Sequence, residues 1–286
     1  MVYDSHLGAS SLPEREQRVR FPRLFQFDLP RLKTGRVFPE QLDLSGVHRV
    51  LDVACGTGEW AIATARTFPQ LEVVGIDGDQ EVLDHLRTQA RVSGLDTITF
   101  TVTNARPPFD IPSASFDLVN VRFVANFTPL AGWPALLGEC LRVVRSGGVI
   151  QCTEGDTPLT SSPAGERLSN ILSEALGQNE QNLFPPIRSG RNFLITPLLH
   201  RALMDAGCKN VQKAIYVTNF GHGTAAQADM AREYTRICHL AQPALLQMGM
   251  TTQPEMEQLR QQMLSEMQLE GFRGVGFYRT VWGNKP

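Results

Sequence analysis

Residues Arg49 to Ile62 read RVLDVACGTGEWAI, and this stretch decides the fold that the sequence predicts. Arg49–Val53 is a short apolar run that is typical of a buried parallel strand. The turn after it contains Gly56 and Gly58, which have no Cβ and therefore let a ligand lie against the backbone. Glu59 onward is typical of a helix. A strand, a glycine turn and a helix N-terminus together predict a cradle whose backbone N–H groups face a bound ligand.

The charge around this turn indicates which ligand it holds. A second predicted strand, Leu71–Ile76, ends in Asp77, where the ribose of a nucleotide presents its hydroxyls to a carboxylate. The spacing of Gly56, Gly58 and Ala61 also satisfies the dinucleotide pattern, although that pattern alone is a weak signal. Asp52 weighs against a dinucleotide, because a carboxylate repels a pyrophosphate and attracts an ammonium or sulfonium group. An adenosine-containing, positively charged cofactor is favoured, and an NAD(P)-dependent oxidoreductase is the first alternative.

Four motifs in order resemble those of one enzyme family. DVACGTG (52–58) resembles motif I of the class I S-adenosylmethionine (SAM) methyltransferases, with Ala54 in place of the first glycine. VVGIDGD (73–79) resembles motif II, and FDLVNVRFV (116–124) resembles the fourth-strand motif. LLGECLRVVRSGGVIQC (136–152) resembles the next helix, a Gly-Gly turn that closes it, and the fifth strand. The ordered set is more specific than the glycines alone.

The resemblance implies a fold class and a cofactor. The fold is α/β, a Rossmann-like seven-stranded sheet, mostly parallel with the last strand antiparallel, with helices on both faces. The cofactor is S-adenosyl-L-methionine. By resemblance, the residues around it are Asp52, Ala54, Gly56 and Gly58 at the methionine portion, Asp77 at the ribose with Gly78 and Asp79 at the same strand end, Asn104 and Ala105 beside the adenine, and Asn120 and Val121 at the end of the fourth strand.

The remaining chain is expected to surround the acceptor. Residues 1–45 are expected to form an N-terminal helical lid segment, and residues 46–286 the methyltransferase domain. Insertions at about 157–195 and 222–270 follow the fifth and sixth strands. Because ligands bind outside the carboxyl ends of parallel strands, we expect both insertions to cap the active site. Six methionines between Met230 and Met267 weakly favour an apolar or aromatic acceptor, although ordinary helix packing explains them as well.

Three residues are candidates for catalysis. Glu154 and Asp156 follow the fifth strand, and His222 lies between glycines just after the sixth. All three are expected at the end of the sheet where the cofactor binds. A base is needed only if the acceptor atom must lose a proton during the transfer. The absence of a fixed catalytic signature is therefore uninformative.

Composition excludes several classes of partner. The 286 residues carry a net charge of −2, and the charged residues form no basic footprint for nucleic acid. The five cysteines are odd in number and form no CxxC pair, which fits a reducing compartment and predicts no metal site. The sequence has no apolar run long enough for a signal peptide or a membrane span. We expect a soluble cytoplasmic protein, either a monomer or a homodimer.

The sequence therefore predicts a SAM-dependent methyltransferase that modifies oxygen, nitrogen or carbon of a natural-product-like small molecule. A second alternative is a SAM-binding protein that transfers no methyl group, either a regulatory binder or a scaffold for another reaction. A third is a methyltransferase that acts on protein or RNA. The acceptor itself is not encoded in any motif.

Overall fold

The structure is a computed structural model that describes residues 36–103, 107–125, 127–178 and 195–286. In these ranges, the strands are β1 (Arg49–Val53), β2 (Glu72–Asp77), β3 (Ile98–Val102), β4 (Phe116–Arg122), β5 (Val144–Gly155), β6 (Leu159–Thr160), β7 (Lys209–Asn219) and β8 (Gly274–Asn284). The α-helices are α1 (Glu59–Thr67), α2 (Gln80–Val92), α3 (Trp133–Val143), α4 (Pro163–Gln178), α5 (Leu199–Asp205), α6 (Gln227–Gln247) and α7 (Gln253–Glu266). A short 3₁₀ helix, Leu130–Gly132, leads into α3.

All eight of these strands belong to one sheet. Its order is β3-β2-β1-β4-β5-β8, with β7 on the outer side of β8 and the short β6 beside the first residues of β8. The pairs from β3 to β5 are parallel, whereas β8 runs antiparallel to both β5 and β7. The predicted Rossmann-like sheet is therefore confirmed. The extra strand, β6, follows the end of β5 and continues its pairing along β8.

Two apolar cores cover the two faces of the sheet. On one face, α1 and α2 pack against the strands through Trp60, Leu83 and Leu86, each at most 2% exposed. On the other face, α3 and α5 join the helices that follow β5 and β7 in a larger core. Helix α2 forms where it does because the Asp79 side chain caps its N-terminus and Leu83, Leu86 and Ala90 repeat at helical spacing.

The described end of the N-terminal segment packs on α1. The indole N–H of Trp60 donates to the Val37 carbonyl at 3.0 Å. The Phe38 ring meets the rings of Trp60 and Phe68, with both centroid distances at 5.4 Å. These contacts attach the segment to the sheet face that α1 covers. Residues 1–35, the main part of the expected lid, lie outside the described residues.

The two insertions contain three helices that pack on one another. Helices α4, α6 and α7 contribute to the larger core, which includes Met230, Met256, Met263 and Met267 at no more than 2% exposure. The Ser162 hydroxyl, at the start of α4, donates to Glu266 at the end of α7. Four of the six methionines thus fill the space between helices, as ordinary helix packing requires.

The expected role of Gly147 and Gly148 is wrong. Helix α3 already ends at Val143, and Val144 is extended, with φ −77° and ψ 142°. The glycines lie inside β5, where Gly147 N–H donates to Lys285 and the Gly148 carbonyl accepts from Lys285 N–H. Strand pairing with β4 therefore begins at Val144, before the glycines, and their own pairing with Lys285 makes them strand positions.

The described part of the chain has none of the long apolar helices that a membrane span requires. All five cysteines are buried free thiols. Likewise, the described residues contain no cluster of histidine, cysteine or carboxylate side chains suited to a metal ion.

Gly58 and Gly94 test how closely the first turn is packed. Both have positive φ, 72° and 63°, but a Cβ at Gly58 would lie 2.8 Å from the buried Leu86 side chain, whereas a Cβ at Gly94 would meet nothing within 4 Å. Gly94→Ala should lower the free energy of unfolding by about 1 kcal/mol, the strain of a left-handed residue. Gly58→Ala should lower it by about 3 kcal/mol, because steric overlap adds to that strain.

Urea denaturation of both variants measures this difference. Gly94→Ala is the matched control, since it changes the same residue type in the same backbone region without crowding. Equal destabilisation of the two variants would contradict a tight contact between the turn and α2.

Candidate active site

The glycine turn lies where the strand order reverses. β1 is followed in the chain by β2 on one side and is paired with β4 on the other, which is the switch point where ligands bind in such sheets. Ala54, Gly56 and Gly58 have φ values of 53°, 55° and 72°, so the chain bends sharply. Ala54 adopts the left-handed conformation although it stands in place of a glycine. The turn is tied to β2 by a bond of 2.9 Å from Cys55 N–H to the Ile76 carbonyl.

Asp77 faces this turn, as the sequence predicts. Its Oδ2 accepts a hydrogen bond from Gly56 N–H at 2.9 Å, and its Oδ1 accepts from Asp79 N–H at 3.2 Å. The side chain is half-buried at the end of β2. A carboxylate is therefore held beside the glycine backbone, where a ribose bound on the turn would meet it.

The neighbours of Asp77 have different environments. Gly78 is exposed. The Asp79 carboxylate accepts from Glu81 N–H at 3.0 Å and from Val82 N–H at 3.1 Å, so it caps α2. Asn104 and Ala105, predicted beside the adenine, lie outside the described residues.

Asp52 begins a row of three buried polar side chains. Asn120 Nδ2 donates to Asp52 Oδ1 at 2.9 Å, and Gln151 Nε2 donates to Asn120 Oδ1 at 2.9 Å. The exposed fractions are 3% for Asp52, 0% for Asn120 and 1% for Gln151. The sequence did not point to Gln151, because nothing within the apolar strand VIQC shows which residue it faces. Val121, by contrast, packs into the core on the opposite face, which leaves its backbone as the part nearest to the turn.

Glu154 holds the loop after β4. Its Oε1 accepts from Val124 N–H at 2.7 Å and from Ala125 N–H at 3.2 Å, and the side chain is 2% exposed. The loop turns towards it because Phe123 adopts φ 51° and donates its N–H to the Thr153 carbonyl at 2.9 Å. The described contacts of Glu154 position the backbone of this loop at the rim of the site. They leave the predicted catalytic role of Glu154 untested.

Asp156 lies just beyond β5 in a second polar cluster. The Thr196 hydroxyl donates to Asp156 Oδ1, and Arg279 Nη1 donates to the Thr196 carbonyl at 2.8 Å. Burial raises the pKa of the Asp156 carboxyl above its ordinary 3.8, although the Thr196 hydrogen bond and the Arg279 charge act in the opposite direction. Neither Thr196 nor Arg279 was predicted, since both are far from Asp156 in sequence.

His222 lies just after the edge strand β7, away from the glycine turn. Its side chain is exposed, and its backbone N–H donates to the Phe272 carbonyl at 3.1 Å. It follows β7, which is separated from β1 by β4, β5 and β8. Four strand spacings amount to about 19 Å, so the histidine and the glycine turn are well separated in the sheet.

These features define the fold class of the protein. A mostly parallel sheet with an antiparallel β8 between β5 and β7, together with an acidic strand end beside a glycine turn, is the Rossmann-like fold of class I SAM-dependent methyltransferases. Two carboxylates at the turn suit a cofactor with positive charge.

Comparison with known proteins agrees with that class. Residues 50–148 match the family model of a methyltransferase domain, and this segment belongs to that family. The chain is 36% identical over 112 residues to the demethylmenaquinone methyltransferase of Geobacillus kaustophilus, which is 38% of this chain and 46% of the relative. It is 40% identical over 112 residues to that of Deinococcus radiodurans, 39% of this chain and 44% of the relative. The chain thus spans about half the length of the curated relatives it matches.

Solved structures share the fold over most of the chain. A protein from Bacillus halodurans, described as a candidate methyltransferase, is 19% identical and has a TM-score of 0.54, covering 91% of this chain and 99% of that one. The [4+2]-cyclase SpnF is also 19% identical, with a TM-score of 0.50, covering 89% of this chain and 80% of that one. The predicted resemblance to the class I SAM-dependent methyltransferases is confirmed, and the family match covers residues 50–148.

Glu154 is expected to stabilise the loop after β4. Glu154→Leu leaves two buried backbone N–H groups without this acceptor, so we expect it to lower the free energy of unfolding by about 2–4 kcal/mol. Glu154→Gln keeps a carbonyl acceptor of the same length and should lower it by about 1 kcal/mol. Urea denaturation measures both. A Glu154→Leu protein as stable as the wild type would show that the carboxylate does not stabilise the loop after β4.

Asp156 should give a stability difference that depends on pH. Its folded pKa is raised, so the stability that its protonated form contributes is complete below the unfolded pKa near 3.8 and is lost as pH rises through the folded pKa. Asp156→Asn does not titrate. The stability of this variant relative to the wild type should therefore increase between pH 3.5 and pH 7, as measured by urea denaturation across about that range. A relative stability that falls over this range would contradict the raised pKa.

Proposed function

We propose that this protein is a SAM-dependent methyltransferase whose acceptor is a small molecule. The observation that carries the proposal is the position of Asp77, with its carboxylate on Gly56 N–H at the switch point of a methyltransferase sheet. SAM supplies a methyl group activated by the positive charge on sulfur. Holding an acceptor in line with that methyl group, away from water, accounts for much of the rate in such a transfer.

The residues at the turn fit each part of this cofactor. Asp77 is the acceptor for the ribose hydroxyls, and the glycines allow close approach of the adenosine. Asp52 is the acceptor for the ammonium group in the methionine portion of SAM. The first N–H groups of α1 face the carboxylate group of that same methionine portion. Gly78, Asp79, Asn120 and Val121 complete the proposed site through backbone atoms or as supporting side chains, and Asn104 and Ala105 receive the adenine by resemblance.

The helical cap formed by the two insertions determines which acceptor binds. Helices α4, α6 and α7 lie outside residues 50–148, so the segment shared with the family does not include these walls. We propose that the insertions at about 157–195 and 222–270 bind the acceptor, with the segment 1–45 as a lid. The relatives are demethylmenaquinone methyltransferases, and an apolar ring that carries an oxygen or a carbon nucleophile is therefore the first acceptor class to test.

Asp156 is the first of the three catalytic candidates to test. It stands at the carboxyl end of β5, is mostly buried, and has a raised pKa, which suits a group that takes a proton. Glu154 already holds backbone, and His222 is exposed beyond the far strand. Activity measurements on Asp156→Asn, Glu154→Gln and His222→Ala distinguish them, because loss of a base lowers turnover without weakening SAM binding.

SAM binding without methyl transfer is the second candidate function. The fold is shared with a cyclase, SpnF, so the fold does not by itself determine the reaction. Formation of S-adenosylhomocysteine in the presence of a small acceptor distinguishes the two functions. The five buried thiols fit a reducing compartment, and we propose the cytoplasm, with a monomer or a homodimer as the assembly.

Asp77→Ala tests the cofactor site. Removal of a charged acceptor for the ribose should weaken SAM binding by about 10- to 100-fold, as measured by titration calorimetry. Glu72→Ala is the matched control, because Glu72 is an exposed carboxylate at the opposite end of the same strand. Its affinity for SAM should equal that of the wild type.

Equal SAM affinity in Asp77→Ala and the wild type would contradict the ribose role. A wild-type protein that binds NADP and not SAM would contradict the whole proposal. Turnover is followed as S-adenosylhomocysteine, with demethylmenaquinol analogues and phenolic small molecules as the first acceptors.

A further inference from the structure

On three neighbouring strands, one face of the sheet is apolar at one position and polar at the position two residues further along. Val50, Leu118 and Val149 pair across β1, β4 and β5 and belong to the apolar core under α1. Two positions further towards the carboxyl ends, Asp52, Asn120 and Gln151 pair in the same way. Alternate residues of a strand point to the same face, so the polar row lies directly beyond the apolar row.

The hydrogen bonds in this row run in one direction. Gln151 donates to Asn120, and Asn120 donates to Asp52, each at 2.9 Å. A carboxylate only accepts hydrogen bonds, whereas an amide has one accepting and one donating end. Asn120 therefore supports an ionised Asp52 in only one of its two amide orientations. Asp52 thus sets the orientation of Asn120, and the donation from Gln151 satisfies Asn120 Oδ1 in that orientation and holds the amide in place.

Packing does not explain Gln151. Its Oε1 is buried and has no hydrogen-bond partner in the part of the chain that the structure describes. A buried acceptor without a partner reduces stability, and an apolar side chain of the same length would avoid that loss. The hydrogen bond from its Nε2 to Asn120 is therefore what this amide contributes to the described structure.

We propose that Gln151 is a positioning residue that acts through Asn120 to hold Asp52 as the acceptor for the ammonium group of SAM. The proposal rests on the proposed function and assigns a source of affinity for the amino-acid part of the cofactor. The proposal predicts that the row affects the affinity for SAM but not the affinity for a ligand that lacks the amino-acid part. 5′-Methylthioadenosine shares the adenosine and the sulfur but has no amino-acid part, so its binding is independent of this row.

Titration calorimetry with SAM and with 5′-methylthioadenosine tests the assignment on the full chain. Gln151→Met removes the donor and keeps the length of the side chain, so its affinity for SAM should fall by about 10-fold and its affinity for 5′-methylthioadenosine by less than about 2-fold. Thr280→Val is the matched control. It removes a buried hydrogen bond, from the 2.8 Å pair with Thr153 on β5, without changing the row. This variant should bind both ligands as the wild type does.

A double-mutant cycle with Asp52→Asn establishes whether Gln151 acts through Asp52. In the Asp52→Asn background, Gln151→Met should change SAM affinity by less than about 2-fold, because the carboxylate that it positions is gone. Additive losses in the cycle, or equal losses for both ligands, would overturn the proposal.

Gln151→Leu is the second variant in case Gln151→Met does not fold, and thermal unfolding checks both. Failure of both to fold would also overturn the proposal, since it would make Gln151 a requirement of the fold. If the wild type does not bind SAM, the proposed function fails. Unchanged SAM affinity in a folded Gln151 variant refutes only the positioning role.

Discussion

The parallel register of β1 between β2 and β4 is the constraint on which the rest of the site depends. It pairs Asp52 with Gly75 on one side and with Asn120 on the other. It also brings the end of β2 beside the glycine turn, so that Asp77 reaches Gly56 N–H. A shift of one residue would turn Asp52 to the opposite face and separate it from Asn120. The apolar residues before these positions prevent such a shift, because it would move them out of their cores.

Polar side chains that are buried in the central strands concentrate in one region. They are Asp52 on β1, Asn120 and Arg122 on β4, and Gln151, Thr153 and Glu154 on β5. All lie in the carboxyl halves of their strands, whereas the charged residues in the amino halves of β1 and β4, Arg49 and Asp117, are only half-buried. Burial of polar groups reduces stability unless each finds a partner. The hydrogen bonds among these residues and to the loop after β4 therefore give a rigid floor at the end of the sheet where ligands bind.

The sequence predicts the part of the site that depends on local chemistry. The glycine turn and the position of Asp77 beside it follow from the motifs, the mostly parallel sheet follows from the family resemblance, and the structure agrees with each of them. Residues whose roles depend on pairing across strands could not be found in this way. Gln151 acquires its role only from the register of β5 with β4. Gly147 and Gly148 were misassigned because their pairing partner, Lys285, is distant in the sequence.

Backbone conformation limits the prediction further. The catalytic role of Glu154 stays a prediction, but its hydrogen bonds from Val124 N–H and Ala125 N–H could not be predicted from its position after the fifth strand. That geometry requires Phe123 to adopt a positive φ, which a bulky residue seldom does and residue type does not reveal.

The two acidic side chains at the end of β5, Glu154 and Asp156, differ in their surroundings. Glu154 accepts hydrogen bonds from the backbone N–H groups of Val124 and Ala125, whereas Asp156 has a raised pKa because burial outweighs the Thr196 hydrogen bond and the Arg279 charge. A carboxylate whose charge is disfavoured by burial is a better proton acceptor near neutral pH than an ordinary carboxylate. The proposed role of Asp156 as the proton acceptor therefore rests on its environment, because Glu154 carries the same functional group at nearly the same point of the chain.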